Sequence, residues 1–207
     1  INVAEQNLKE KTAKGILWGG INNGGQQVLN LVFGIFLGRL LSPADYGMVG
    51  MLTIFSLLAG ALQESGFISA LNRKKDITQE DYNADFWINV LCGAVLYVIL
   101  FFCAPLIADF FDQPKLVPLA RLSFLNFVFA SWGTTPRAVL FRNLRVKETA
   151  WMSLAALFTS GVTGVTLAWN GFAYWGIAIQ NIVYCAMMTF FSWYFSGWRP
   201  SMHINLR

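Results

Sequence analysis

The residues best equipped for chemistry sit where water is scarce. Asn22, Asn23, Gln26, Gln27 and Asn30 place five carboxamides in a run that carries no charge from Gly15 to Gly38. At roughly 100° per residue on a helix they fall at about 0°, 100°, 40°, 140° and 80°, a single stripe. Gly15, Gly19 and Gly34 share that arc, and Leu17, Ile21, Val28, Leu31, Val32 and Ile35 take the far side. An amide left unpaired in hydrocarbon costs on the order of a few kcal/mol, so the stripe must face protein, water or a ligand. Five amides exceed what clamping two helices together needs. The stripe is therefore expected to line an aqueous cavity, with interhelical clamping as the competing reading.

A second polar face follows from Asn126, Ala130, Gly133 and Arg137. Arg137 either meets an anion or snorkels to the headgroups, and Arg39 and Arg121 at the external ends of their spans pose the same choice. Gln180, Asn181 and Tyr184 form a third patch, read equally as clamp or cavity wall. Glu64, between Gln63 and Ser65, is either an interfacial group or a proton-responsive carboxylate. Hydrogen bonding of a polar ligand by the amides and neutralisation of an anion by arginine is the binding chemistry these types allow.

Catalytic chemistry has little to draw on. His203 is the one histidine and lies in the terminal tail, so no His-based metal site or nucleophile–base pair is available within the apolar segments. Asp109 and Asp112 could share a helix face, but no basic or metal-binding partner clusters near them, and they read as a solvated helix end. There is no phosphate-binding loop pattern. Neither an enzyme nor a cofactor is expected.

The elements that position these residues are membrane helices. The chain is 56% hydrophobic and 13% charged, against about 25% charged residues in a soluble domain. With roughly 20 apolar residues per crossing, the charge-free runs predict six spans. They lie at 15–40, 46–66, 86–106, 120–140, 150–169 and 172–195 of one all-α membrane domain covering 1–207. The last two come from an uncharged stretch, 149–198, that is too long for a single crossing; Asn170-Gly171 marks its turn. Ser42-Pro43-Ala44-Asp45 and Thr78 to Asp81 read as helix starts. Pro136 is expected to kink span four. Gly20, Gly24, Gly34, Gly38, Gly161 and Gly164 are expected to admit close helix packing. Cys92, Cys103 and Cys185 read as small core residues, and the aromatics Trp169, Phe172, Tyr174 and Trp175 as an interfacial belt.

Charge orients the spans. Lys9, Lys11, Lys14, Arg73, Lys74, Lys75, Arg137, Arg142, Arg145, Lys147, Arg199 and Arg207 fall on one side, and only Arg39, Lys115 and Arg121 on the other. The positive-inside rule then places both termini in the cytoplasm. These basic residues are dispersed rather than gathered on one face, which argues against nucleic acid as a partner. A chain opening on Ile1 with no secretory signal before Gly15 reads as a fragment or trimmed chain.

Five segments in order carry a family resemblance: GRLLSPADYGMVGML (38–52), SGFISALNRKKDITQEDYNADFWINV (65–90), APLIADFFDQPKLVPLARLSF (104–124), FRNLRVKE (141–148) and GWRP (197–200). The chain resembles the Wzx-type polysaccharide and lipopolysaccharide exporters, lipid-linked oligosaccharide flippases of the multidrug/oligosaccharidyl-lipid/polysaccharide exporter superfamily. The resemblance implies two six-helix lobes around a cavity open alternately to either side of the bacterial cytoplasmic membrane, with this chain as the N-terminal lobe. It also implies an undecaprenyl-pyrophosphate-linked oligosaccharide as cargo, and membrane lipids and a second six-helix lobe as partners. No invariant catalytic signature carries over. The candidate substrate-binding residues therefore rest on the helical faces alone: Asn22, Asn23, Gln26, Gln27, Asn30, Asn126, Arg137, Arg39, Arg121 and Gln180. A drug or cation exporter of the same superfamily, for which Glu64 would be the intramembrane acid, and a membrane-embedded glycan enzyme are the alternatives.

Overall fold

The computed structural model describes the backbone of residues 2–66 and 78–200, and the side chains of 15–61 and 78–200. The side chain of Glu64, residues 67–77 and His203 lie outside what is described. Among the described residues there are seven helices and no strand: α1 (Asn2–Leu40), α2 (Pro43–Gly66), α3 (Gln79–Phe110), α4 (Leu116–Phe124), α5 (Asn126–Arg142), α6 (Val146–Trp169) and α7 (Tyr174–Ser196). Five segments are long and apolar enough to cross a membrane: Pro43–Ala61, Gln79–Phe110, Leu116–Arg142, Val146–Trp169 and Tyr174–Ser196. α1 is the longest helix of all, but its amides and glycines keep it out of that set.

Helix starts follow local chemistry. At α2, Ser42 N–H donates to Asp45 Oδ2 at 2.9 Å and Asp45 N–H to Ser42 Oγ at 3.3 Å. At α3, Thr78 N–H donates to Asp81 Oδ2 at 2.9 Å and Asp81 N–H to Thr78 Oγ1 at 3.4 Å. Each box satisfies two backbone donors that the first turn leaves over.

The helices overrun the apolar runs. α3 begins at Gln79 rather than 86 and ends at Phe110 rather than 106, because a capped helix keeps propagating past the point where its side chains stop being apolar. Asp85, just before the span expected at 86–106, therefore belongs to the helix. Asp109 and Asp112 do not share a helix face: Asp109 closes α3, and Asp112 sits in the following turn at φ 51°. Span four is two helices that meet at Leu125, whose carbonyl accepts from both Val128 N–H (3.1 Å) and Phe129 N–H (3.4 Å).

The helices pack as a row, α1–α6–α7–α5–α3, with α4 set against α3 and α7, and α2 lying lightly on α7, α3 and α4. Directions can be read from the contacts. Gly25 meets Leu154 and Phe33 meets Gly161, so α1 runs parallel to α6. Gly164 meets Gln180 and Ala168 meets Gly176, so α6 and α7 are antiparallel. α3 runs antiparallel to α5, because Asp85 meets Thr135 whereas Gly93 meets Ser131 and Phe127.

Glycine sets these distances at only some of the expected positions. Gly161 and Gly164 do sit against neighbours, as do Gly25, Gly93, Gly133 and Gly176, but Gly20, Gly24, Gly34 and Gly38 have nothing within 4 Å. The helix α1 thus turns most of its glycines away from its one packed seam. At the far end of the row, Leu52, Ile107, Leu116, Leu119, Phe124 and Phe127 form the main apolar core, which Tyr174 and Trp175 cover. The other two belt aromatics, Trp169 and Phe172, are exposed.

This packing yields a contrast between two glycines. A Cβ at Gly93 would stand 2.6 Å from Ser131 Cβ and 2.9 Å from the Phe127 carbonyl oxygen, which cannot swing aside. Gly93→Ala is expected to destabilise the protein by about 1–3 kcal/mol through overpacking. Gly38→Ala, with open space around it, is expected to leave stability unchanged or slightly raised. Thermal unfolding of the two variants in one detergent measures the difference.

Candidate functional site

The amide stripe of α1 divides in two. Asn22 and Gln26 lie half-buried on the shoulder that meets α6, and Gln26 Nε2 donates to Asn22 Oδ1 at 2.9 Å. This same shoulder carries Gly25, Leu29, Phe33 and Leu37, and it closes on Leu154, Phe158, Gly161 and Ala168. Asn23, Gln27 and Asn30 are exposed and have no hydrogen-bond partner among the described residues. They share their side of α1 with the open glycines Gly20, Gly34 and Gly38. Leu17, Val28, Leu31 and Ile35, also exposed, occupy the next sector round. The free surface of α1 thus has one apolar side and one side of amides and glycines.

Arg137 takes no part in that surface. Its Nε donates to the Gly133 carbonyl at 3.0 Å and its Nη2 to the Ala130 carbonyl at 3.3 Å, on the α7 side of α5. That face forms a seam. Cys185, Thr189 and Trp193, spaced four residues apart on α7, donate to the carbonyls of Asn126, Phe129 and Trp132 at 3.7, 2.8 and 2.9 Å. Pro136 explains the last bond: it has no N–H to give to Trp132 O four residues back, and the Trp193 indole supplies the missing donor. Gly133 lets Thr189 approach, since a Cβ there would stand 2.6 Å from Thr189 Oγ1.

Of the remaining predicted residues, Arg39 is exposed in the last turn of α1. Arg121 is half-buried with its guanidinium carbon 4.2 Å from the Phe101 ring centroid, and its Nε has no partner. Asn126 Oδ1 and Gln180 Oε1 are buried without a partner, and Gln180 packs on Gly164. The structure does not gather the ten residues into one site. It presents Asn23, Gln27 and Asn30 together and holds Asn126, Arg137 and Gln180 within helix seams.

Two features escaped the sequence reading. Between α3, α5 and α7 lies an apolar groove of about 530 Å³ walled by Phe86, Trp87, Phe129, Trp132, Phe190 and Trp193. No charged side chain lines it, so it offers nothing to a pyrophosphate. The second is a polar cluster of Asp85, Asn89, Ser131 and Thr135, all buried. Its sequence signal was the acid and amide four residues apart in DFWIN, hidden because Asp85 stood at the edge of an apolar run. Among the described residues no group of three or more His, Cys, Asp or Glu could hold a metal ion.

Comparison with known proteins supplies the context for this arrangement. Residues 36–207 match the model of a family described as "Polysaccharide biosynthesis protein". The chain belongs to this family. It is 29% identical over 96% of its length to the lipopolysaccharide biosynthesis protein WzxC of Escherichia coli, covering 41% of that protein. It is 27% identical over 80% of its length to the succinoglycan biosynthesis transport protein ExoT of Rhizobium meliloti, covering 34%. With the teichuronic acid biosynthesis protein TuaB of Bacillus subtilis it shares 24% identity over 66% of its length, covering 28%. The chain therefore spans less than half of each of these relatives. No solved structure matches it. Its membrane-length helices and these relatives make this family member a multi-pass protein of the bacterial cytoplasmic (inner) membrane.

The seam between α5 and α7 generates a prediction. Trp193→Phe keeps most of the ring's apolar contact but leaves Trp132 O without a donor. Loss of the net contribution of one such hydrogen bond costs roughly 0.5–1.5 kcal/mol. The expected outcome is a drop of that size in unfolding free energy, with no comparable drop for Tyr194→Phe, whose side chain is exposed.

Proposed function

We propose that this chain forms one six-helix lobe of an exporter that moves a lipid-linked oligosaccharide across the bacterial cytoplasmic membrane by alternating access. The observation that carries the reading is the open face of α1. Among the described residues three amides there have no partner, and six glycines on the helix touch nothing. Facing lipid, each amide would cost roughly 2–7 kcal/mol. Facing a water-filled cavity shared with a second lobe, they cost nothing and can hydrogen-bond sugar hydroxyls.

Further support comes from the helix directions. α1 runs beside α6 and parallel to it, and α7 runs antiparallel to α6, as alternating crossings require when α1 is the first of six, α6 the fifth and α7 the sixth. With both termini cytoplasmic, the charge distribution agrees. The remainder of a longer chain, or another chain, would provide the second lobe. ExoT is named a transport protein and WzxC a lipopolysaccharide biosynthesis protein; the cargo proposed here is an undecaprenyl-pyrophosphate-linked glycan whose tail stays in the bilayer. Anion neutralisation falls to Arg39 and Arg121, because Arg137 is held in the α5–α7 seam by two bonds to α5 carbonyls. The break at Leu125 and the buried Pro136 supply the bending that rocking lobes need.

A pair of multiple variants in the full-length protein tests the assignment. Asn23, Gln27 and Asn30 replaced together by leucine is expected to reduce glycan export at least ~10-fold at equal expression, the loss of ~1.4 kcal/mol or more of substrate binding. Asn22→Leu with Gln26→Leu, at the α6 shoulder, is expected to alter stability more than export. Unchanged export in the triple variant would remove the cavity assignment.

A further inference from the structure

The Asp85 cluster has no part in the proposed cavity. Asp85 Oδ2 lies 2.8 Å from Thr135 Oγ1 across the α3–α5 seam, and Oδ1 accepts from Asn89 Nδ2 at 3.1 Å. Asp85 is 6% exposed, Asn89 1% and Thr135 0%. On one side the cluster is closed by Phe86, Val139 and Trp198, and further into the seam by the contact of Gly93 with Ser131 and Phe127. It sits roughly 9 Å along α3 from the first residue, at ~1.5 Å per residue.

Thr135 is unusual among the described helical threonines. Thr53, Thr134, Thr149, Thr159, Thr163 and Thr166 each donate to the carbonyl four residues back on their own helix. Only Thr135 and Thr189 turn across a seam, Thr189 to a carbonyl and Thr135 to a carboxyl. Among the described residues Asp85 has no ion-pair partner.

The charged groups around it are few. On α3, Glu80 and Asp81 lie nearer the helix end. On α5, Arg142 is exposed at the terminus, and Arg137 is turned roughly 200° away from Thr135, where it bonds the Gly133 and Ala130 carbonyls. Residues 174–196 of α7 include no charge, and beyond it Arg199 meets α3 through its backbone carbonyl, which accepts from Gln79 Nε2. A carboxylate has about four acceptor sites; here two neutral donors reach it and no cation does. A buried carboxyl so placed is stabilised by taking up a proton rather than by staying charged.

We propose that Asp85 is a proton-binding site that is occupied while α3 and α5 are docked. The proton forms an O–H bond at Oδ2, which donates to Thr135 Oγ1. The Thr135 hydroxyl hydrogen then turns to the Ser131 carbonyl four residues back, as the other threonines do. Asn89 continues to donate to Oδ1. Opening of the seam to water releases the proton to solvent and leaves a hydrated carboxylate. This inference stands without the glycan cargo, because it concerns one seam of the fold.

Infrared difference spectroscopy on the full-length protein in lipid nanodiscs tests it without a transport assay. At neutral pH, the wild type is expected to show a protonated-carboxyl C=O band that Asp85→Asn removes and that Thr135→Val shifts, since the hydrogen bond to the hydroxyl is lost. Should Asp85→Asn remove intensity from the ionised carboxylate bands instead, the proposal fails. If that variant does not fold, Thr135→Val decides alone. A shift in the acid band upholds the site, and a change confined to the carboxylate bands overturns it.

Discussion

A hydrogen-bonding group withdrawn from water must find a partner inside the protein or keep a path to water, and nearly every feature of this chain answers to that constraint. Within a helix the backbone satisfies itself, so the load falls on side chains and on carbonyls that proline has orphaned. Trp132 O is one such carbonyl. Pro136 cannot reach it, and Trp193 does so from the neighbouring helix. With Thr189 and Cys185 aimed at the same carbonyl face, α5 and α7 are joined by side chains bonding to backbone. Without water to drive apolar surfaces together, such bonds and close van der Waals contact are what hold helices in lipid.

Close contact requires small residues, and the glycines show where the structure spends them. Gly93, Gly133, Gly161, Gly164 and Gly176 admit a neighbouring side chain or backbone that a Cβ would block. Those on the outer side of α1 admit nothing within this chain. A helix that keeps glycines and unpartnered amides on the same open side has the composition of a packed or wetted surface rather than of a lipid-facing one. This is why α1, the least apolar of the long helices, marks the side on which the proposed second lobe would stand.

The arginines obey the same constraint and change their roles accordingly. Arg137 falls on the helical face expected of it, yet that face is the α5–α7 seam, and its guanidinium is used on carbonyls in its own helix. Arg121 lies over an aromatic ring, and Arg39 stays at a helix end. One residue type therefore serves as a backbone partner, a ring partner and an end charge in the space of three helices.

Much of the architecture was legible from residue order. Charge-free length located five membrane-length segments of the six spans expected, Ser42 and Thr78 with their acids announced two helix starts, and Asn170-Gly171 marked a turn, with Gly171 at φ 82°. These are local properties, set by solvation of a single segment or by hydrogen bonds reaching three residues. Which half of the α1 stripe is sealed and which is open could not be read, because that depends on α6 arriving from more than a hundred residues away. Asp85 stood outside the expected span at 86–106, and its burial could not be read for a similar reason: its seam partner, Thr135, lies fifty positions on. Sequence alone determined the phase and the solvent of the helices and the capped starts of two of them. Only the tertiary structure decided which polar groups meet one another, since partnership across a seam depends on distances that no local pattern encodes.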